Sequence, residues 1–396
     1  MENKKKDKLL ILSSRFPYPL EKGDKLRLYH QIKSLSEVFD IYLFALSDED
    51  VQEKDFAELI PLCKEIELKR ISKWICYINL ILGAVFKGLP LQVAYFYSKA
   101  AQKSLNSFIA KHPIDKVYCQ LIRMAEYTKE INIEKHLDYM DAFSMGVERR
   151  KDKAFWLKPI LGLEYGRVKA YERTVFTNFN SHSIIADADR RYIFGEEAEK
   201  VKLLANGVDM GFFTSNPSIL ISYDVLFVGN MSYPPNIAAV KFLIEKVMPL
   251  VWEQSPNCSV LIAGTNPDSS IKKYASSKVK ISGWMEDIRM AYWQSKVFVA
   301  PMFLGSGLQN KLLEAMAVGL PCITTDLANN SLKASRDEIR IANNANEFCV
   351  EILHLLNEGN NGNIELIKKA KSFVKESYGW NSHNQRLVKS LLLLCK

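Results

Sequence analysis

The chain has 396 residues, too many for one ordinary hydrophobic core and well suited to two domains of roughly 150–200 residues each. At 48% hydrophobic and 25% charged residues, the composition is that of a folded globular protein and excludes a disordered chain. The formal charge of +8 is compatible with phosphate-bearing substrates, an anionic membrane surface or a solvated basic face; apart from Lys4-Lys5-Lys6 no basic run resembles a nucleic-acid-binding arm, and no nucleic-acid partner is expected.

The Lys-rich start leads directly into a short apolar run over 9–13. It is too short for the core of a signal peptide, so a first strand is expected there and a reducing cytosol is the expected compartment. Seven cysteines are scattered singly without a CxxC, and the six histidines never approach a metal-ligand spacing; neither a disulfide framework nor a zinc site is expected. A Pro-punctuated loop containing Arg15, Gly23 and Asp24 follows the first strand. Helical periodicity then covers 26–39, and 41–45 is a second buried strand. Strand, loop, helix and strand in this order make a βαβ unit, so the N-terminal half opens as a parallel-sheet domain. Further strands are predicted at 116–119 and 182–186.

The second half repeats this logic, with strands at 225–229, 259–264, 297–301 and 321–325 and helices over 237–252 and around Glu314. Such alternation specifies a doubly wound sheet. Asn206-Gly207 marks a turn between the halves. The expected organisation is an N-terminal acceptor-binding domain over 1–205, a donor-binding domain over 206–377, and a C-terminal helix within 378–396 returning to the first domain.

One segment stands apart. Residues 74–86 are strongly apolar and flanked by Lys69, Arg70, Lys73 and Lys87, yet shorter than the roughly 20 residues that cross a bilayer. Two readings are open: peripheral contact with an anionic membrane through 69–87, or a helix buried in the N-terminal domain or at an oligomer contact.

The densest motif is Gly305-Ser306-Gly307-Leu308-Gln309-Asn310-Lys311, followed by Glu314 in Leu-Leu-Glu-Ala-Met-Ala-Val-Gly-Leu-Pro. Paired glycines let a loop turn tightly, the following helix N-terminus offers N–H groups to phosphate oxygens, and Lys311 adds a point charge one turn in. Together with Asn206-Gly-Val-Asp209, Phe227-Val-Gly229-Asn230-Met-Ser-Tyr-Pro-Pro-Asn236, Ile262-Ala-Gly264 and Ser282-Gly-Trp284-Met285-Glu-Asp287, this run resembles the donor-site signature of retaining GT-B glycosyltransferases of family 4, the glycosyl transferases group 1. Arg15-Phe-Pro-Tyr-Pro with Gly23-Asp24-Lys-Leu-Arg27 is similar to the opening of an exopolysaccharide or PEP-CTERM-associated branch of that family.

The resemblance implies an α/β, GT-B fold of two Rossmann-like doubly wound domains facing across a cleft. It implies transfer of a hexosyl group from a nucleotide-diphosphate sugar to a glycan or lipid-linked saccharide, with retention and without a metal or other cofactor, in cell-surface polysaccharide synthesis. Glu314 would accept the ribose hydroxyls, and Gly229, Asn230, Gly264, Trp284, Met285 and the 305–311 loop would contact the donor. Lys311, Glu314 and Asp24 are the catalytic candidates. On the acceptor and phosphate side stand Arg15, Gly23, Asp24, Arg27 and Asp141, with helix capping as the alternative role for Asp24 and Asp287. Ser306 replaces the Glu that relatives place there, and Asn230 stands where many carry Arg. A non-catalytic nucleotide-sugar-binding partner protein and a GT-B-fold epimerase are the rival functions.

Overall fold

The computed structural model describes residues 5–20, 22–153, 157–304 and 308–395. Two compact units divide the chain: Met1–Asn206 with His383–Lys396, and Gly207–Ser382. Unit 1 holds β1 (Lys8–Ser13), β2 (Asp40–Ser47), β3 (Glu65–Arg70), β4 (Lys116–Gln120), β5 (Lys135–Asp138), β6 (Ser181–Ile184) and β7 (Lys202–Leu203). Unit 2 holds β8 (Tyr223–Val228), β9 (Val260–Ala263), β10 (Val279–Gly283), β11 (Ser295–Ala300), β12 (Cys322–Thr324) and β13 (Arg340–Ile341).

The sheets run β3-β2-β1-β4-β5-β6-β7 and β10-β9-β8-β11-β12-β13, and the pairings among described residues are parallel. Parallel sheets are covered by helices on both faces, so their central strands are continuous apolar runs. Leu9-Leu10-Ile11-Leu12 and Val225-Leu226-Phe227 are fully buried for this reason. Edge strand β3 reads Glu-Ile-Glu-Leu-Lys-Arg and stays partly exposed, which is why its sequence gives no buried-strand signal.

Two predicted helices differ in detail. The helix expected over 26–39 spans Gly23–Leu35; Asp24 lies inside its first turn, where a carboxylate complements the helix dipole, while Lys22 occupies the cap position. The helix expected over 237–252 is divided into Pro234–Phe242, a π turn at Leu243–Val247 and Met248–Gln254. Pro249 cannot donate to the carbonyl four residues back, and the wider turn just before it accommodates that loss.

The helix Lys73–Phe86 corrects one reading of the apolar segment. Among its described residues, one side packs inward, through Cys76 and Ala84, with Gly83 so close that an added Cβ would lie 2.7 Å from the Ala94 Cβ in the next helix, Leu91–Phe96. Trp74, Ile75, Tyr77, Ile78, Ile81 and Leu82 face outward and exposed, so the helix is not buried within unit 1.

The C-terminal helix Trp380–Leu392 packs Leu387 and Leu391 among Leu28, Ile32 and Leu35. Its Asn384 amide donates to the His30 carbonyl (2.8 Å) and the Ser34 hydroxyl (2.9 Å). At the start of unit 2 the Val208 N–H donates to the Tyr378 carbonyl (2.7 Å), and Gly207 leaves room for Trp380, which any Cβ would meet at 2.7 Å.

Under the centre of the unit 1 sheet lies a buried polar network. Arg27 Nε donates to Asp138 Oδ2 (2.7 Å) and Nη2 to Oδ1 (3.3 Å); Tyr118 and Gln31 also donate to Oδ2, and Ser183 to Oδ1. Arg27 is 1% exposed and Asp138 fully buried. Burial alone would raise the Asp138 pKa, but the Arg27 charge and hydrogen bonds outweigh it and hold the carboxyl low. Arg27 Nη1 further donates to Asn206 Oδ1 (3.0 Å), tying the helix Gly23–Leu35 to the last residue of the unit's first segment.

Removing one partner of a buried pair leaves a lone buried charge, so Arg27→Leu is expected to cost about 3–5 kcal/mol in urea unfolding at neutral pH. Without the guanidinium Asp138 prefers its neutral form, so that deficit should shrink as the solution is acidified. Burial also holds His136 down to about 3 and His182 to about 4. Each histidine is neutral when folded but protonates near pH 6.5 when unfolded. Wild-type stability should therefore fall below that pH by roughly 1.4 kcal/mol per pH unit per histidine, a slope that denaturant titrations at pH 7, 6 and 5 measure.

Candidate functional site

In a doubly wound sheet, the crevice opens at the C-terminal ends of the two neighbouring strands whose connections leave in opposite directions. In unit 2 these are β8 and β11, since β8 leads to β9 on one side and β11 to β12 on the other. The loop after β8 carries Gly229 and Asn230. The segment after β11 runs through Pro301 to the helix Asn310–Val318.

Glycine shapes the first wall. Gly264, just after β9, has φ +131°, and a Cβ on it would lie 1.9 Å from the Gly229 carbonyl oxygen. A Cβ on Gly229 would in turn meet the Asn236 amide nitrogen at 2.7 Å. The Gly229 N–H donates to the Ala263 carbonyl (3.0 Å), so the ends of β8 and β9 are held at backbone contact. Asn236, buried in the helix Pro234–Phe242, donates its amide to the Asn230 carbonyl (2.9 Å). The Asn230 side chain turns to its own loop and accepts from the Ser232 N–H (3.0 Å) and hydroxyl (2.8 Å).

The second wall is the helix Asn310–Val318. Leu312, Leu313, Ala315 and Met316 bury its inner face, which places Lys311 and Glu314 together on another. Gly319, at φ +99°, closes the helix in the left-handed conformation, its N–H reaching the Ala315 carbonyl. Lys311 Nζ donates to Asn236 Oδ1, lies 3.9 Å from the Met302 sulfur and sits 4.7 Å from the Phe227 ring centroid. The lysine thus bridges the helix to the C-terminal ends of β8 and β11. Burial lowers its pKa to about 8, against the opposing pull of Glu314. Glu314 accepts from the Tyr292 hydroxyl (2.8 Å). Burial raises its pKa, although that hydroxyl and Lys311 both favour the carboxylate.

The structure therefore brings Gly229, Asn230, Gly264, Lys311 and Glu314 to one end of the unit 2 sheet. Leu308 packs on the core, Gln309 is the cap residue, whose side chain makes no cap hydrogen bond, and Asn310 opens the helix. Gly305, Ser306 and Gly307 lie outside the described residues. Trp284 is exposed, and Met285 packs against the core. Asp287 accepts from the Arg289 N–H (2.9 Å) and grips its guanidinium, at the start of the helix Arg289–Trp293.

At the matching switch point of unit 1, between β1 and β4, Arg15 Nη1 meets Asp24 Oδ2 at 2.5 Å. Arg123 Nη1 lies 3.8 Å from the same oxygen, and Gln120 donates to the Asp24 carbonyl (2.8 Å). Burial and the neighbouring Arg15 lower the Arg123 pKa to about 10. Gly23 opens the adjoining helix, and a Cβ added to it would meet nothing within 4 Å. Two residues fall elsewhere. Arg27 is buried on Asp138 and is not presented to a phosphate, and Asp141 is exposed in the turn after β5, so the buried carboxylate of that strand is Asp138.

Tyr292 and Arg123 were not singled out from the sequence, and Phe227 and Asn236 stood there only as the two ends of a motif stretch, with no role of their own. Asn236 had one signal, a polar residue on an otherwise apolar first turn behind Pro234-Pro235. Tyr292 and Arg123 had none, because their partners lie far away in sequence.

Residues 222–358 match the family model described as glycosyl transferases group 1, and the wall-forming residues just described in unit 2 fall inside that segment. The two-unit parallel α/β architecture is the GT-B fold. Over 94% of its length the chain is 24% identical to 96% of an uncharacterized 44.6 kDa protein in the cps region of Klebsiella pneumoniae. It is 27% identical, over 41% of this chain and 47% of the relative, to the putative glycosyltransferase EpsF of Bacillus subtilis (strain 168). Among solved structures, Anabaena Alr3699/HepE in complex with UDP-glucose superposes with a TM-score of 0.63 at 14% identity, covering 98% of this chain and 99% of that one.

The Gly229–Gly264 contact makes a direct prediction. Gly264→Ala forces both a strained φ and a backbone clash, and should destabilise unit 2 by about 2–4 kcal/mol in thermal or urea unfolding. Gly23→Ala, in open space, should change stability by less than about 1 kcal/mol.

Proposed function

We propose that this chain is a glycosyltransferase that moves a hexosyl group from a nucleotide-diphosphate sugar to a saccharide acceptor, with retention and without a metal, in the assembly of a cell-surface polysaccharide. The observation that carries the reading is the convergence of Lys311, Asn236 and the Gly229–Gly264 backbone contact at the switch point of unit 2, within the segment matching glycosyl transferases group 1. The relative from a cps region and the structural neighbour holding UDP-glucose support the polysaccharide and nucleotide-sugar parts.

In this reading the donor diphosphate lies at the N-terminus of the helix Asn310–Val318, where N–H groups and the helix dipole favour an anion. Lys311, held by Asn236, supplies the cation that stabilises charge on the departing diphosphate. Glu314, oriented by Tyr292, accepts the ribose hydroxyls. The bond between the anomeric carbon and the diphosphate oxygen breaks. A bond from that carbon to the acceptor oxygen forms on the same face, and the acceptor proton passes to a phosphate oxygen of the leaving group. Arg15 and Asp24, at the switch point of unit 1, serve the acceptor side. Asn230, turned into its own loop, contributes no cation, which leaves that role to Lys311.

Nucleotide release from a panel of UDP-, GDP- and ADP-sugars, measured in EDTA with saccharide acceptors, tests this reading. Turnover of at least one donor is expected; activity lost only on chelation would sink metal independence. Tight donor binding without turnover on any acceptor would favour a non-catalytic binding partner. Lys311→Met should lower kcat/KM by about 10²–10³-fold, and Glu314→Gln should weaken donor binding by roughly tenfold. With a pKa near 8, Lys311 loses its charge above that pH. Donor affinity should therefore be highest below pH 8 and decline above it, and Lys311→Met should abolish that decline in calorimetric titrations.

A further inference from the structure

We propose that unit 1 docks on an anionic lipid bilayer through the outer face of the helix Lys73–Phe86, extended by the first turns of the helix Lys158–Phe176. This goes beyond the proposed transfer reaction and does not depend on it.

The first observation is apolar exposure where a folded domain normally hides it. Trp74, Tyr77, Ile78, Ile81 and Leu82 follow helical spacing along one face, and Trp74 is 80% exposed. The opposite face is fixed against the Leu91–Phe96 helix through Gly83 and Ala94, so the outward set is held outward by packing. Contiguous exposed patches of this kind mark an interaction surface.

The second observation comes from a distant part of the chain. Leu157, Ile160 and Leu163 are also exposed, at the start of the helix Lys158–Phe176, with Ile160 at 61%. The Glu164 carboxylate of that helix accepts the Leu91 N–H (2.7 Å), which ties it to the start of the helix Leu91–Phe96 that packs under Gly83. Lys87, Gly88, Gly162 and Leu163 line one cavity there, so the C-terminal end of the helix Lys73–Phe86 adjoins the first turns of the helix Lys158–Phe176.

Charge selects the occupant. From Lys69 to Ile114 the chain has no Asp or Glu and has seven Lys or Arg residues. Lys73 and Lys87 stand at the two ends of the apolar helix, and Lys87, Lys129 and Arg167 line the cavity beside it. An apolar face with a cationic rim fits an anionic interface, where each Lys or Arg adds about a fivefold gain near the surface. Trp and Tyr in the exposed set suit the headgroup level, where an aromatic ring has one side apolar and the other wet. The helix is 14 residues, about 21 Å, and among the described residues no helix is long and apolar enough to cross a membrane. It therefore lies in the plane of the interface.

Co-sedimentation of the full chain with phosphatidylcholine vesicles, with and without phosphatidylglycerol, tests the assignment. Wild type should pellet with the anionic vesicles and much less with the neutral ones. Ile78→Glu with Leu82→Glu should reduce that binding about tenfold or more, and Lys73→Gln with Lys87→Gln should reduce it about 25-fold on anionic vesicles only. These side chains are exposed, so unchanged melting curves are expected for both variants. Equal pelleting of wild type and the Ile78→Glu, Leu82→Glu variant, or no pelleting of wild type, overturns the proposal. Equal binding to both kinds of vesicle overturns the anionic assignment. Light scattering that finds a wild-type dimer, dissolved by Ile78→Glu with Leu82→Glu, and no vesicle binding would give the face to a second copy of the chain.

Discussion

A parallel sheet forces every connection to cross from one end of the strands to the other, and where the order reverses the connections must part. That single constraint places both candidate sites in this protein. In unit 2 the parting lies between β8 and β11, and in unit 1 between β1 and β4. At both points the strands are buried, and apart from Phe227 in β8 and Gln120 at the end of β4 they supply none of the site side chains described above. What the site can do is decided by the few residues beyond the strand ends, where backbone and side chains are released from the ladder.

The two units use this shared constraint in opposite ways. Unit 2 admits a cation close to bare backbone: Gly229 and Gly264 touch without side chains between them, and Lys311 lies beside Phe227 and Met302. A lysine in those surroundings is destabilised by burial, which is why its pKa falls to about 8. An anion brought to the same spot would offset that penalty. Unit 1 instead surrounds Asp24 with Arg15 and Arg123, so its charges are already partly matched.

The sheets were legible in the sequence because buried parallel strands leave long apolar runs, as at Leu9–Leu12 and Val225–Phe227, and turn residues punctuate them. Lys311 and Glu314 were legible because one helix carries both, three residues apart behind a Gly-rich loop. Edge strand β3 was not, since most of its residues are charged and its outer side is solvated. Asn236 and Tyr292 were not, because their meaning depends on partners 75 and 22 residues away that only the fold brings near. Arg27 is the instructive error. An arginine near a Gly-Asp loop looks available to phosphate, but Arg27 lies one helical turn deeper than Gly23 and Asp24, and that step turns its guanidinium inward onto Asp138.

The burial of Arg27 also bears on how the net charge of +8 should be understood. A formal sum treats every cation alike, whereas here some are internal and cancelled. Arg27 is neutralised by Asp138 and Lys116 by Asp7, so neither projects a field into solvent. Most of the formal excess lies along 69–114, which has seven Lys or Arg residues and no acidic one, although Arg70 there is paired with Asp50. A long-range field acts on partners only where it is not paired at its origin. The basic character of the chain therefore belongs mainly to one stretch of unit 1, while in unit 2 the buried cation at the switch point is Lys311.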